Sequence, residues 1–191
     1  MSFLDNLLAD LTSGDESCAE AAASQLAQLG DSALVALKDL LESSDSDWRW
    51  WAIRTLAQIP DIDPGLFLTA LNDSSVDVRQ AAALALATHP FERAAPLLIR
   101  ALNDADSMVG TLAANALIVI GKPIVPILLD ALESAPQSAQ IQIMRALAEM
   151  QDHRAIPAML KATESNSVML NYWANEGLER LGLNMVYIKP E

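Results

Sequence analysis

A chain of 191 residues that is 52% hydrophobic and 19% charged, with only seven glycines, excludes a disordered segment and is long enough for one compact domain or one short repeat array. Twelve Lys and Arg against 25 Asp and Glu leave a formal charge of −13, which excludes a binder of nucleic acid or of an anionic membrane surface, because both need clustered cations. The single cysteine, Cys18, excludes an intrachain disulfide; the start MSFLDNLLAD lacks the basic region of a signal peptide, and the 15 uncharged residues from Ser107 to Gly121 fall short of the roughly 18–20 that cross a bilayer, so a cytoplasmic protein is expected.

Leu26, Leu56, Leu86, Leu117, Leu147 and Leu178 recur at intervals of 30, 30, 31, 30 and 31 residues, and each is preceded four positions earlier by a small or apolar residue. The first unit, 3–30, reads as an apolar helix ending at Leu11, the turn TSGDES, and a second helix carrying Ala22, Leu26 and Leu29 up to Gly30. The second, 31–60, ends its first helix at Leu41, turns through ESSDSD, and carries Trp48, Ala52, Leu56 and Ile59 before Pro60. The third, 61–90, follows with a helix to Leu71, the turn NDSSVD, and Ala82, Leu86 and His89. The fourth, 91–121, has Leu102, NDADSM, then Ala113, Leu117 and Ile120; the fifth, 122–152, has Leu132, ESAPQS, then Ile143, Leu147 and Met150. The sixth, 153–182, runs through Ala162 and ESNSVM to Ala174, Leu178 and Leu181. Spacings of −4, 0 and +3 share one helix face, and Ser, Asp and Asn in the turns suit helix N-caps. The period predicts an all-α chain of six helix pairs, with residues 183–191 as an apolar tail that either caps the last pair or docks on another protein.

The stretches VDVRQAAALALATHP (76–90), SDWRWWAIRTLAQIP (46–60) and APLLIRALND (95–104) resemble HEAT repeats of the short type called the phycobilisome-lyase HEAT-like repeat. The resemblance implies a right-handed α-solenoid of about six HEAT-like helix pairs forming a single domain over 1–182, with the leucine-bearing helices along a concave face. Arg49 and Arg79 match the family's arginine, whereas Gly110, Gln140 and Asn171 do not, so an Asp–Arg ladder is expected to break after the third unit.

At 100° per residue, Trp48 shares the stripe of Ala52, Leu56 and Ile59 and is expected in the core, in the slot held elsewhere by Cys18, Val78, Val109, Ala139 and Leu170. Trp51 falls at the edge of that stripe. The outward slots hold Trp50, Arg54, Leu84, Ile118, Ile141, Arg145 and Tyr172, a mixture of apolar, aromatic and Arg side chains of the kind enriched in binding hot spots. Of these, Trp50, Arg54, Leu84, Ile141, Arg145 and Tyr172 are the candidate contacts for a partner polypeptide.

No catalytic, metal or cofactor residues are assigned. His89 sits in an apolar slot before Pro90 and reads as a core or helix-end histidine; His153 lies in a turn; burial in the core slot would leave Cys18 unactivated. The family includes a di-iron hydroxylase with repeated His-Glu pairs, and here His89 precedes Pro90 and His153 precedes Arg154. Acidic residues in the turns read as solvated caps. The expected function is a non-catalytic interaction or assembly scaffold for a protein partner. The alternative implied by the resemblance is a bilin lyase or chromophore-chaperone subunit, whose flat anionic tetrapyrrole would stack on the aromatics of WRWW or NYWAN beside an arginine.

Overall fold

A computed structural model describes residues 2–183. The tail Met185, Val186, Tyr187 and Ile188 lies outside the described residues. The chain parts into two compact units, one ending at His89 and one beginning at Pro90.

In the first unit, α1 (Phe3–Leu11) packs on α2 (Glu16–Leu29), α3 (Asp31–Leu41) on α4 (Ser46–Leu56), and α5 (Val76–Thr88) on two short 3₁₀ turns, Pro64–Phe67 and Thr69–Asn72; α2, α4 and α5 pack in succession. In the second unit, α6 (Ala95–Ala101) packs on α7 (Ser107–Ile120), α8 (Val125–Ser134) on α9 (Gln137–Met150), and α10 (Ile156–Ala162) on α11 (Val168–Arg180), with α7, α9 and α11 again in succession. Each unit is therefore a stack of helix pairs of the α-solenoid class. The turns supply the caps expected of them: the Asp15 carboxylate accepts from the Cys18 amide at 2.8 Å, Asp45 from the Asp47 amide at 2.8 Å, and Asp106 from the amides of Met108 and Val109 at 3.0 Å. Gly30 and Gly121 close α2 and α7 with φ of +53° and +80°, a conformation that a Cβ would oppose. Among the described residues no single helix is long and apolar enough to cross a membrane; the apolar run through α7 and α8 is broken by a 104° bend at Gly121.

The six repeat leucines are all buried to 1% exposure or less, and their partners four residues earlier, from Ala22 to Ala174, to 2% or less. Burying each leucine contributes about 1.5–3 kcal/mol, and the small partners let neighbouring helices approach. Phe67 and Leu71 fill the corresponding positions of the third pair, but the helix expected there is replaced by the two 3₁₀ turns. Pro64 and Gly65 account for it: proline supplies no amide, glycine disfavours helix, and the Asp63 carboxylate takes the Gly65 amide at 2.9 Å.

A second correction concerns the slot eight residues before each leucine. Val78, Val109, Ala139 and Leu170 are buried there, whereas Cys18 is exposed and Trp48 is 39% exposed. An indole is too large for a slot that Ala or Val fills, so Trp48 overflows sideways into solvent.

Candidate functional site

The aromatic cluster of the first unit grows from the cap of α4. Asp45 fixes the first turn, and the following residues step around the helix by 100°, turning Trp51 inward, leaving Trp50 half-buried and Trp48 exposed. The rings of Trp50 and Trp51 meet edge to face, 4.8 Å apart at 82°. Arg54, one turn on, lays its guanidinium 4.9 Å from the centre of the Trp50 ring and 5.6 Å from that of Trp51, and donates to both Glu20 oxygens at 3.0 and 3.1 Å. Arg54 thus joins α4 to α2 across a repeat. Leu84 on α5 stands 55% exposed and takes no part in this contact.

All three tryptophans line one cavity of about 690 Å³, entered beside the turn that ends α1. Glu16, Asp45, Asp47 and Asp77 line it too, and no Lys or Arg does. Glu16, Asp47 and Asp77 stand in the first turns of α2, α4 and α5, so successive pairs deliver one carboxylate each to the same space. The sequence carries the signal: Asp47 and Asp77 each precede a repeat leucine by nine residues. That signal is indistinguishable from ordinary capping until the position of Trp48 is known.

In the second unit, Ile141 and Arg145 lie one turn apart on α9, both half-buried. Arg145 donates to Asn115 Oδ1 on α7 at 2.6 Å and to Gln142 Oε1 at 3.3 Å. Ile118 on α7 is half-buried. Tyr172 on α11 is 51% exposed, with its ring edge-on to Trp173 at 5.1 Å. The arginines picked out for a partner, Arg54 and Arg145, are therefore engaged within the chain as ties between successive pairs, while Leu84 and Tyr172 are free in solvent.

A second cavity, about 410 Å³, surrounds Arg49 and Asp73. Arg49 holds both Asp73 oxygens at 2.7 Å and the Ser43 carbonyl at 2.9 Å, which keeps the Asp73 carboxyl below its usual pKa, chiefly through this hydrogen bond. It is a tie between pairs. The exposed Cys18 thiol is pushed up in pKa, first by its hydrogen bond to the Asp15 carboxylate, a different cause from the burial expected. His89 caps α5: its Nε2 lies 2.8 Å from the Ala57 carbonyl, so Nε2 carries the proton and donates. His153 is exposed in the 3₁₀ turn His153–Ala155. Among the described residues no three His, Cys, Asp or Glu gather at metal-binding distance.

Residues 64–126 match the family HEAT repeats, and residues 139–165 match the family PBS lyase HEAT-like repeat. The chain is 32% identical over 137 residues to the uncharacterized phycocyanin operon protein Z of Pseudanabaena tenuis, a match spanning 64% of this chain and 66% of that protein. The fold is similar to that of the complex of CpcE and CpcF of phycocyanin lyase from Nostoc, with a TM-score of 0.55, 24% identity, and coverage of 95% of this chain and 78% of that one. It is similar as well to a designed armadillo repeat protein in complex with the peptide (KR)4, with a TM-score of 0.58, 19% identity, and coverage of 94% and 100%. These two likenesses concern the fold.

Proposed function

Since the chain is a HEAT-repeat protein of the phycobilisome-lyase HEAT-like type, we propose that it is a non-catalytic scaffold that binds a partner polypeptide along the leucine-bearing helices. Trp50, Arg54 and Leu84 serve in the first unit, and Ile141, Arg145 and Tyr172 in the second. One observation carries this reading. On these helices Arg54 is bonded to Glu20 and Arg145 to the Asn115 amide oxygen, while Leu84 and Tyr172 leave apolar surface in water. Such a surface gains by covering apolar area. In the first unit Arg54 shapes the Trp50 ring as much as it contacts a partner; in the second, Arg145 fixes α9 against α7.

The relative from a phycocyanin operon makes phycocyanin subunits the first partners to try. Purified subunits are expected to bind the full chain in biolayer interferometry. Leu84→Glu and Tyr172→Ala, at exposed positions, are each expected to abolish binding without moving the thermal midpoint. Binding that survives both variants would remove these helices from the interface.

The same relative supports a second reading, a chromophore-handling subunit of the lyase type. Against it, four carboxylates line the tryptophan cavity and would repel an anionic tetrapyrrole. Incubation with a bilin and apo-phycocyanin tests it, the expected result for a scaffold being no new visible absorbance band.

A further inference from the structure

We infer that the cavity beneath Trp48 is a docking site for a cationic side chain, Arg or Lys, presented by a segment of the partner polypeptide. The inference rests on the scaffold reading above and gives the partner its chemistry. The cavity is first an aromatic one. Trp48, Trp50 and Trp51 line it, and Trp48 has neither a ring nor a cation against it among the described residues, although its size and chemistry would suit burial. An indole left in water at the mouth of a cavity of about 690 Å³ is unpartnered apolar surface.

Charge complementarity selects the occupant. Glu16, Asp47 and Asp77 face the same space, none of them paired with a cation among the described residues, and no Lys or Arg lines it to neutralise them. An anionic or purely apolar occupant would desolvate these carboxylates without compensation. A guanidinium or ammonium satisfies both halves of the wall at once, lying on an indole face while the carboxylates accept its hydrogen bonds. The chain already shows the contact in miniature: the Arg54 guanidinium lies over Trp50 and Trp51 from outside the cavity, held by the Glu20 carboxylate. Trp48 offers the same kind of ring with its cation still to come. A polypeptide fits better than a free small amine, because the cavity opens along the turn ending α1 and the first turns of α2, α4 and α5, giving a flanking backbone room to run.

The test titrates the full chain with blocked nonapeptides in which Gly alternates with Arg, Lys, Leu or Glu, read by tryptophan fluorescence and calorimetry. The Arg and Lys peptides are expected to bind with a fluorescence change and to weaken with added salt, since exposed charges are screened over about 10 Å at 0.1 M. The Glu peptide is expected to be silent. Trp48→Ala, at an exposed position, and Asp47→Asn/Asp77→Asn should each weaken the Arg peptide about tenfold, a loss of the order expected for one cation on one ring. Asp130→Asn/Glu179→Gln removes the same charge from exposed positions elsewhere and should leave binding intact. Equal losses in that control, or equal binding of the Leu and Arg peptides, would overturn the inference. Phycocyanin subunits bound in the absence of any Arg-peptide binding would overturn the docking site and leave the scaffold standing; the converse result would do the opposite.

Discussion

Seven residues before each repeat leucine, the two units solve one problem with different side chains. In the first, Arg49 reaches back to the Ser43 carbonyl and Arg79 to the Asp73 carbonyl, pinning the turns before α4 and α5; Arg49 also spans to Asp73 of the following pair. In the second, Gln140 donates to the Leu132 carbonyl at 3.0 Å, Asn171 donates to the Thr163 carbonyl, and Gly110 brings its backbone so near that a Cβ would sit 3.2 Å from the Leu102 carbonyl oxygen. Pinning a turn needs one donor, or simply close approach. Bridging to the next pair needs a long, forked cation, and where the slot lacks one the bridges move to other positions: Arg145 to Asn115, Arg180 to Glu149, and Arg154 to the Lys122 carbonyl at 2.8 Å. The polar ties between pairs are thus portable, while the leucine core is not.

The largest effects should ignore this difference. Leu56→Ala in one unit and Leu117→Ala in the other are each expected to destabilise by about 2–5 kcal/mol in urea unfolding, as fully buried leucines do. A marked inequality between them would break the equivalence of the two cores. Arg49→Met should follow at about 2–3 kcal/mol, because it strips a partly buried charge pair, with side chains 14% and 13% exposed, along with the Ser43 carbonyl's donor. Gln140→Ala, which loses a bond within its own pair, should lose about 1 kcal/mol. Equal losses would show that Arg49 does no bridging.

Acid sharpens the same contrast. Arg49 holds the folded-state pKa of Asp73 below its unfolded value, so the pair stabilises fully above about pH 3.9, and that contribution is lost as pH falls toward the folded value. Arg49→Met should therefore reduce stability more near neutrality than at about pH 3, measured as urea midpoints. Gly177→Ala probes close packing in the second unit: its Cβ would fall 3.1 Å from Ala148 Cα and 2.7 Å from Met159 Cε, for a loss of about 1–3 kcal/mol if the methionine yields only partly. Trp48→Ala should have the smallest effect, within about 1 kcal/mol, as befits a partly exposed side chain. A loss of core size would return it to the interior.

The core was legible in the sequence because period and helix geometry together decide which side chains face inward, and Leu56 and Leu117 obey them. Trp48 and Cys18 occupy the right slot and are nevertheless exposed, since a slot states direction while side-chain volume and a covering neighbour decide burial. Arg54 and Arg145 were legible as outward positions, but their partners Glu20 and Asn115 stand on another repeat, 34 and 30 residues away, and sequence carries no distance across repeats. The carboxylates Glu16, Asp47 and Asp77 looked like capping chemistry in isolation; their convergence depends on how pairs stack.

The two one-turn 3₁₀ segments, Pro64–Phe67 and Thr69–Asn72, make the third pair the seam of the first unit. Each rests on a few i-to-i+3 bonds, and Phe67 and Leu71 are their buried side chains, so their amides should exchange with deuterated solvent well before those of α4 and α5. A joint of this kind can slacken while the flanking helices keep their own hydrogen bonds, letting one end of the array breathe without melting it.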